Sequence, residues 1–204
     1  MALIDSYKIT LDLLKDFIEK EEKEKITEKI AIDLAEIFKN GGKALIAGNG
    51  GSNCDALHFA EEFTGRFRKE RRPLPAIAIS DSSHITCVGN DYGFDFIFSK
   101  GVEAFGNKDD LFIGISTSGN SPNIIKAIEI AKGKGLKTVG LLGKDGGKLK
   151  GMCDYEFIIP GETSDMWRIT YCYCRQRSSF FSKSPCKFFS KMKSITVTPT
   201  ISSN

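Results

Sequence analysis

The stretch that most restricts what this chain can fold into is residues 43–64, KALIAGNGGSNCDALHFAEEFT. The apolar run Ala44-Leu45-Ile46-Ala47 stops in the turn Gly48-Asn49-Gly50-Gly51-Ser52, and a segment with helical periodicity follows without a break. A short apolar run that ends in glycines and feeds a helix reads as a buried strand turning sharply at its C-terminal end. The pattern predicts that Ser52 caps the helix, with Asp55 three residues on completing a capping-box-like pair. Backbone N–H groups and the dipole at such a helix start attract an anion. His58 and Glu62, four residues apart, share one helix face. An anion-friendly turn followed by a His/Glu pair predicts a site for a small phosphorylated ligand. It is not a nucleotide fingerprint. From Gly48 the chain reads G-x-G-x-x-N, without the third glycine of the dinucleotide motif, and no Gly-Lys-Ser or Gly-Lys-Thr marks a P-loop.

Upstream, residues 2–21 and 26–40 read as two helices separated by the charge run at 19–25. In the second, Ile26, Ile30, Leu34, Ile37 and Phe38 form one apolar stripe that Asn40-Gly41-Gly42 terminates. Two such helices ahead of an α/β core cover that core or pack on another subunit. Downstream, strands are expected at 76–79, 111–115, 138–142 and 155–159. Residues 81–84 and 89–93 read as loops around a short helix, with Ser82 and Ser83 as turn residues and His84 as structural. The third strand runs into Ser116-Thr117-Ser118-Gly119-Asn120-Ser121-Pro122, hydroxyls followed by a capping serine and proline at the first helical position. Hydroxyls beside helix N–H groups concentrate neutral donors at one point, which suits a phosphate dianion. Strand–helix alternation implies a parallel sheet covered on both faces, with ligands at the strands' C-terminal ends.

Composition excludes other classes. No apolar run is long enough for a membrane span. The N-terminus carries no signal-like core, and the six cysteines lack disulfide or zinc-ribbon spacing, so a cytoplasmic protein is expected. The basic residues between 65 and 72 read as a solvated loop or phosphate-facing rim, because no nucleic-acid module accompanies them. Charge is unevenly spread. All 26 Asp+Glu lie in residues 1–165, whereas 166–204 carry 7 of the 29 Lys+Arg and no acid.

The segments GNGGSNCDALHFAEEFTGRF, AIAISDSSHITCVGNDYGF and LFIGISTSGNSPNIIKAIEIAK together resemble the sugar isomerase (SIS) family, and within it the phosphoheptose isomerases, which interconvert sedoheptulose 7-phosphate and D-glycero-D-manno-heptose 7-phosphate for bacterial surface heptose and lipopolysaccharide. The resemblance covers residues 1–165. It implies a three-layer αβα sandwich with a five-stranded parallel sheet behind an N-terminal helical segment (1–40). It also implies a homotetramer with active sites completed by neighbouring subunits. By matching motif, Asn49, Gly50, Gly51 and Ser52 line the sugar site, Asn90 and Asp91 contact substrate, and Ser116, Thr117, Ser118 and Ser121 hold the phosphate. His58 and Glu62 match two zinc ligands, and Glu62 also matches the catalytic base. No nucleic acid or membrane partner is implied.

The resemblance stops after Asp165. The family continues Arg-Ile-Gln-Glu-x-His on a last long helix that supplies a Gln and a His to zinc and proton transfer. Here the chain reads MWRITYCYCRQRSSFFSKSPC, and its only histidines are His58 and His84. The expectation is a frameshift near codons 165–166, which leaves a basic, irregular tail and impaired turnover. A genuine divergent tail is the alternative. The rival function is a non-catalytic SIS protein, like the regulator of bacterial replication initiation.

Overall fold

The computed structural model describes residues 21–65 and 71–160, with helical backbone also at positions 5, 8, 9, 11–13 and 15. Most of the expected first helix and the whole 166–204 tail lie outside the described residues. Helix α1 spans Glu21–Lys39, not 26–40. The charge run does not separate two helices at its C-terminal half but joins α1, because alternating Glu and Lys are good helix formers that support one another at three- and four-residue spacing.

Strand β1 (Ala44–Gly48) is buried throughout and leads into α2 (Gly51–Thr64). Strand β2 (Ala76–Ala78) precedes α3 (Ser82–Asp91). Next come a short 3-10 turn at Phe94–Phe96 and helix α4 (Ile97–Phe105). Strand β3 (Leu111–Ser116), helix α5 (Pro122–Gly133), strand β4 (Lys137–Gly143) and strand β5 (Tyr155–Ile159) complete the described core. All strand pairings are parallel, in the order β2-β1-β3-β4-β5. The expected five-stranded parallel sheet is therefore present.

Alternation along the strands feeds two cores. Ala44 and Ile46 of β1, Leu111, Ile113 and Ile115 of β3 and Phe157 of β5 pack with α1 and α2. Leu45, Ala47, Phe112 and Leu142 pack on the other face with Ile97, Phe98 and Val102 of α4 and Ile124 and Ile128 of α5. Each large side chain so buried contributes about 1.5–3 kcal/mol. Phe63 joins the first two helices, its ring 5.5 Å from Phe38 and 5.3 Å from Phe59. Gly114 lets α5 approach the sheet, since a Cβ there would come within 2.8 Å of the Ile124 side chain.

The chain passes from β1 outward to β2, then returns to β3 on the other side of β1. That reversal places a topological switch point between the C-terminal ends of β1 and β3, where a parallel sheet opens a crevice for ligands.

Candidate active site

The loop after β1 is built differently from the expected capping box. Gly50, at φ 53°, occupies the N-cap position of α2 and no side chain caps the helix. Ser52 lies inside the first turn, where its N–H bonds to the Asn49 carbonyl at 2.9 Å. Ser52 and Asp55 are both buried. A glycine with positive φ makes the sharp turn without help from a hydroxyl, so the serine is free to face inward. The loop after β3 follows expectation in position, with Ser121 at the N-cap and Pro122 at the first helical turn of α5. Its hydroxyl does not cap the helix. Instead Ser121 Oγ lies 2.9 Å from Ser116 Oγ, and Ser118 Oγ accepts the Asn120 N–H at 3.1 Å. Because the Ser118 oxygen takes that bond as an acceptor, its own proton remains to be donated elsewhere.

These loops are stitched together by carboxamides, of which only Asn49 was expected to have a role; Asn53, Asn120 and Asn123 carry none in the sequence reading. Asn49 Nδ2 donates to Asn123 Oδ1 at 2.8 Å, and Asn123 Nδ2 donates back to Asn49 Oδ1 at 2.9 Å. Asn53 Nδ2 donates to Ser80 Oγ at 2.7 Å, tying α2 to the end of β2. On the other side, the backbone N–H of Lys148 reaches Asn120 Oδ1 at 3.1 Å, and that of Leu149 reaches the Gly119 carbonyl at 3.0 Å. The C-terminal ends of four adjacent strands thus share one hydrogen-bonded rim. The signal in the sequence was an asparagine in each loop, which by itself reads only as turn chemistry.

Asn90 and Asp91 do not lie in a loop. They form the last turn of α3, which Asp81 caps by accepting the His84 N–H at 2.8 Å. Ser82 and Ser83 are the first residues of that helix, not of a turn, and the Ser83 hydroxyl donates to Asp81. That hydroxyl, followed by the His84 N–H, holds the Asp81 carboxyl below its usual pKa. Asn90 Nδ2 donates to Asp91 Oδ1 at 2.8 Å. Asp91 also accepts from Cys87 Sγ at 3.6 Å, an interaction that pushes the Cys87 thiol pKa up. His84 is structural as expected, its Nε2 lying 2.9 Å from the Ile97 carbonyl.

His58 and Glu62 meet as the helical spacing required, His58 Nε2 lying 3.2 Å from Glu62 Oε1. Glu61, to which no role was given, comes within 3.6 Å of the same nitrogen. One donor atom from each of the three lies within 4.8 Å of the others. Glu62 is the most enclosed of them, with a side chain 17% exposed against 50% for His58 and 64% for Glu61. Arg71 closes the end of α2 by donating to the carbonyls of Phe63, at 2.7 Å, and of Glu62. Its positive charge meets the negative end of the helix dipole. Burial pulls the guanidinium pKa below its usual value, and the Glu62 charge pushes back. Arg71 is thus committed to the helix end, while residues 66–70 of the basic loop lie outside the described residues.

The expected site residues on α2 are spread along the helix. At 1.5 Å of rise per residue, His58 sits ~9 Å and Glu62 ~15 Å along α2 from Ser52. The loop group and the His/Glu group are two clusters on one helix. A cleft of about 420 Å³ opens at the opposite end of the sheet, where the strands begin, lined in part by Asp33, Asn107, Asp110 and Lys137. Its Asp33 and Asp110 carboxylates are engaged by Lys43, Lys137 and Tyr155 and hold the fold together.

A doubly wound parallel sheet with a hydroxyl-rich loop at its switch point defines an α/β domain with a crevice suited to an anionic ligand, and residues 6–143 match the model of the SIS domain. The chain is 75% identical over 165 residues to the phosphoheptose isomerase of Fusobacterium nucleatum, covering 81% of this chain and 85% of that protein. It is 56% identical over 149 residues to the phosphoheptose isomerase of Yersinia enterocolitica, covering 73% of this chain and 77% of the relative. The solved phosphoheptose isomerase of Neisseria gonorrhoeae superposes with a TM-score of 0.76 at 34% identity, over 84% of this chain and 92% of that one. That of Francisella tularensis gives 0.75 at 35% identity, over 86% and 98%. The chain belongs to the phosphoheptose isomerase branch of the SIS family.

Proposed function

We propose that this chain binds sedoheptulose 7-phosphate and isomerises it to D-glycero-D-manno-heptose 7-phosphate, an aldose–ketose interconversion in the cytoplasm that feeds surface heptose. The observation that carries the reading is the enclosed Glu62 paired with His58 on the helix that leaves the switch-point loop. The hydroxyls of Ser116, Thr117, Ser118 and Ser121 hold the phosphate at the start of α5. Asn49, Gly50, Gly51 and Ser52, with Asn90 and Asp91, hold the sugar. Glu62 takes a proton from the carbon beside the carbonyl to give an enediol. It then returns the proton to the neighbouring carbon, while the hydroxyl proton moves between the two oxygens.

The His58 nitrogen with the Glu61 and Glu62 carboxylates is a donor set that suits zinc. His58 and Glu62 would hold the ion, with Glu61 in reach, and the bound ion supplies Lewis-acid polarisation of the substrate oxygen. The separation of the two clusters along α2 supports a homotetramer in which a neighbouring subunit completes each site. Exposed Leu57 beside His58, and exposed Tyr92 and Phe94, support such an assembly.

The domain reading is an SIS unit over 1–165 and a frameshifted tail over 166–204, with residues 161–204 outside the described residues. His84 is committed to a backbone carbonyl, which leaves no second histidine for proton transfer. Turnover is therefore expected on the order of 10²-fold or more below that of an intact relative, the usual worth of a general acid–base group. The same observation favours a second reading, a sugar-phosphate-binding protein without catalysis. Assaying isomerisation and sedoheptulose 7-phosphate binding side by side, in the wild type and Glu62→Gln, separates them. Residual turnover that Glu62→Gln abolishes while binding persists supports the enzyme. Binding with no turnover in either protein supports the second reading, and an absence of binding overturns both.

A further inference from the structure

Asn123 stands on the second residue of α5, is only 1% exposed, and spends its carboxamide on Asn49 in a reciprocal pair across the switch point. Asn49 belongs to the proposed sugar loop, and Asn123 follows directly on the proposed phosphate loop. An isolated asparagine side chain turns freely enough to exchange its oxygen and nitrogen. A reciprocal pair forbids that, because rotating either amide alone sets N–H against N–H and oxygen against oxygen. The pair uses one N–H of Asn49 and leaves the second to a ligand. It also fixes the spacing between the ends of β1 and β3, which are hydrogen-bonded neighbours only as far as Gly48 and Ile115.

Resting on the sugar-phosphate reading above, we propose that Asn123 is a positioning residue. It orients Asn49 and holds the sugar loop at a fixed distance from the phosphate loop, so that the two ends of one sugar phosphate are bound as a unit. It touches no ligand itself. A ligand with both ends depends on the pair, whereas inorganic phosphate, which uses the hydroxyl loop alone, does not.

The test measures the affinity of the full chain for sedoheptulose 7-phosphate and for inorganic phosphate by calorimetry, well below the melting temperature of each variant. Asn123→Ala should weaken the sugar phosphate by about tenfold, the effect of taking from half-buried Asn49 the hydrogen bonds that orient it. Inorganic phosphate should change by less than about threefold. Asn123→Asp keeps the shape and adds a second readout. As a carboxylate it accepts from Asn49 Nδ2 but repels Asn49 Oδ1. As a neutral acid it donates its O–H to that oxygen and restores the reciprocal pair. Its sugar-phosphate affinity, taken relative to the wild type at the same pH, should therefore recover as pH falls from about 7.5 to 5. Equal losses for both ligands, unchanged sugar-phosphate affinity in Asn123→Ala, or a pH-independent deficit in Asn123→Asp each overturn the proposal while leaving the site reading intact. A wild-type chain that binds neither ligand overturns the site reading, and the proposal with it.

Discussion

At the residue scale, the loops of the site tolerate little added volume. Gly119 has φ 66°, and a Cβ there would fall 2.0 Å from the Gly146 carbonyl oxygen. Both the backbone conformation and the neighbouring loop forbid a side chain. Gly119→Ala should destabilise the protein by about 1–3 kcal/mol and weaken inorganic phosphate binding, because the hydroxyl loop must move to make room. Urea unfolding and calorimetry check both effects, and a variant with unchanged stability would show that the two loops are not in contact. Glu62→Gln acts differently. It keeps the volume and removes only the charge, so turnover should fall without loss of the melting temperature.

At the element scale, two carboxylates at the opposite end of the sheet hold the layers in register. Asp110, 1% exposed, accepts from the Lys43 backbone N–H at 2.8 Å, from Lys43 Nζ at 2.6 Å and from the Asn107 N–H at 2.8 Å. It thereby joins the start of β1 to the turn before β3. Removing it leaves the donors of half-buried Lys43 and exposed Asn107 without this carboxylate, and Asp110→Ala should cost about 2 kcal/mol in denaturant unfolding. Asp33 of α1 receives Lys137 Nζ and the Tyr155 hydroxyl, each at 2.6 Å, and so fastens that helix to β4 and β5. The bond to Asp33, with burial second, pushes the Tyr155 pKa up to about 12. An unfolded tyrosine loses its proton near 10. Between about pH 10 and 12 the unfolded chain therefore binds fewer protons than the folded one, and stability falls as pH rises. Below that window the contribution is complete. Tyr155→Phe should flatten this part of the alkaline limb in melts taken from pH 9 to 12, and an unchanged slope would place the effect elsewhere.

At the scale of the whole molecule, the distance along α2 between the loop cluster and the His/Glu cluster makes assembly part of the proposed chemistry. Light scattering on the purified chain should report a tetramer. Leu57→Glu, which puts a charge on the exposed surface beside His58, should yield smaller species and lose sugar-phosphate turnover together. A Leu57→Glu protein that stays tetrameric would remove that surface from the interface. Sequencing codons 160–204 and translating the three frames settles the tail. A frame reading Arg-Ile-Gln-Glu-x-His makes it a lesion or artefact, and its absence makes the tail genuine.

Much of this was legible in the chain alone. Buried strands announce themselves as short apolar runs, and β1, β3, β4 and β5 fell within a residue or two of their expected positions. Glycines at strand ends and proline after Ser121 mark turns by backbone sterics, which are local. The pairing of His58 with Glu62 follows from helix geometry, which is local as well. Helix α4 escaped notice because Ile97, Phe98 and Val102 are too short a pattern to stand out beside the glycines and aromatics around them. The capping role given to Ser52 failed because a positive-φ glycine had already made the turn, and only the backbone torsions reveal that. Asn123 is one more polar residue in the sequence. It acquires a role only when strand order sets β3 beside β1 and brings it, 74 positions away in the chain, against Asn49. Local sterics and periodicity determined the elements. Which distant side chains must satisfy one another out of water was decided by the sheet.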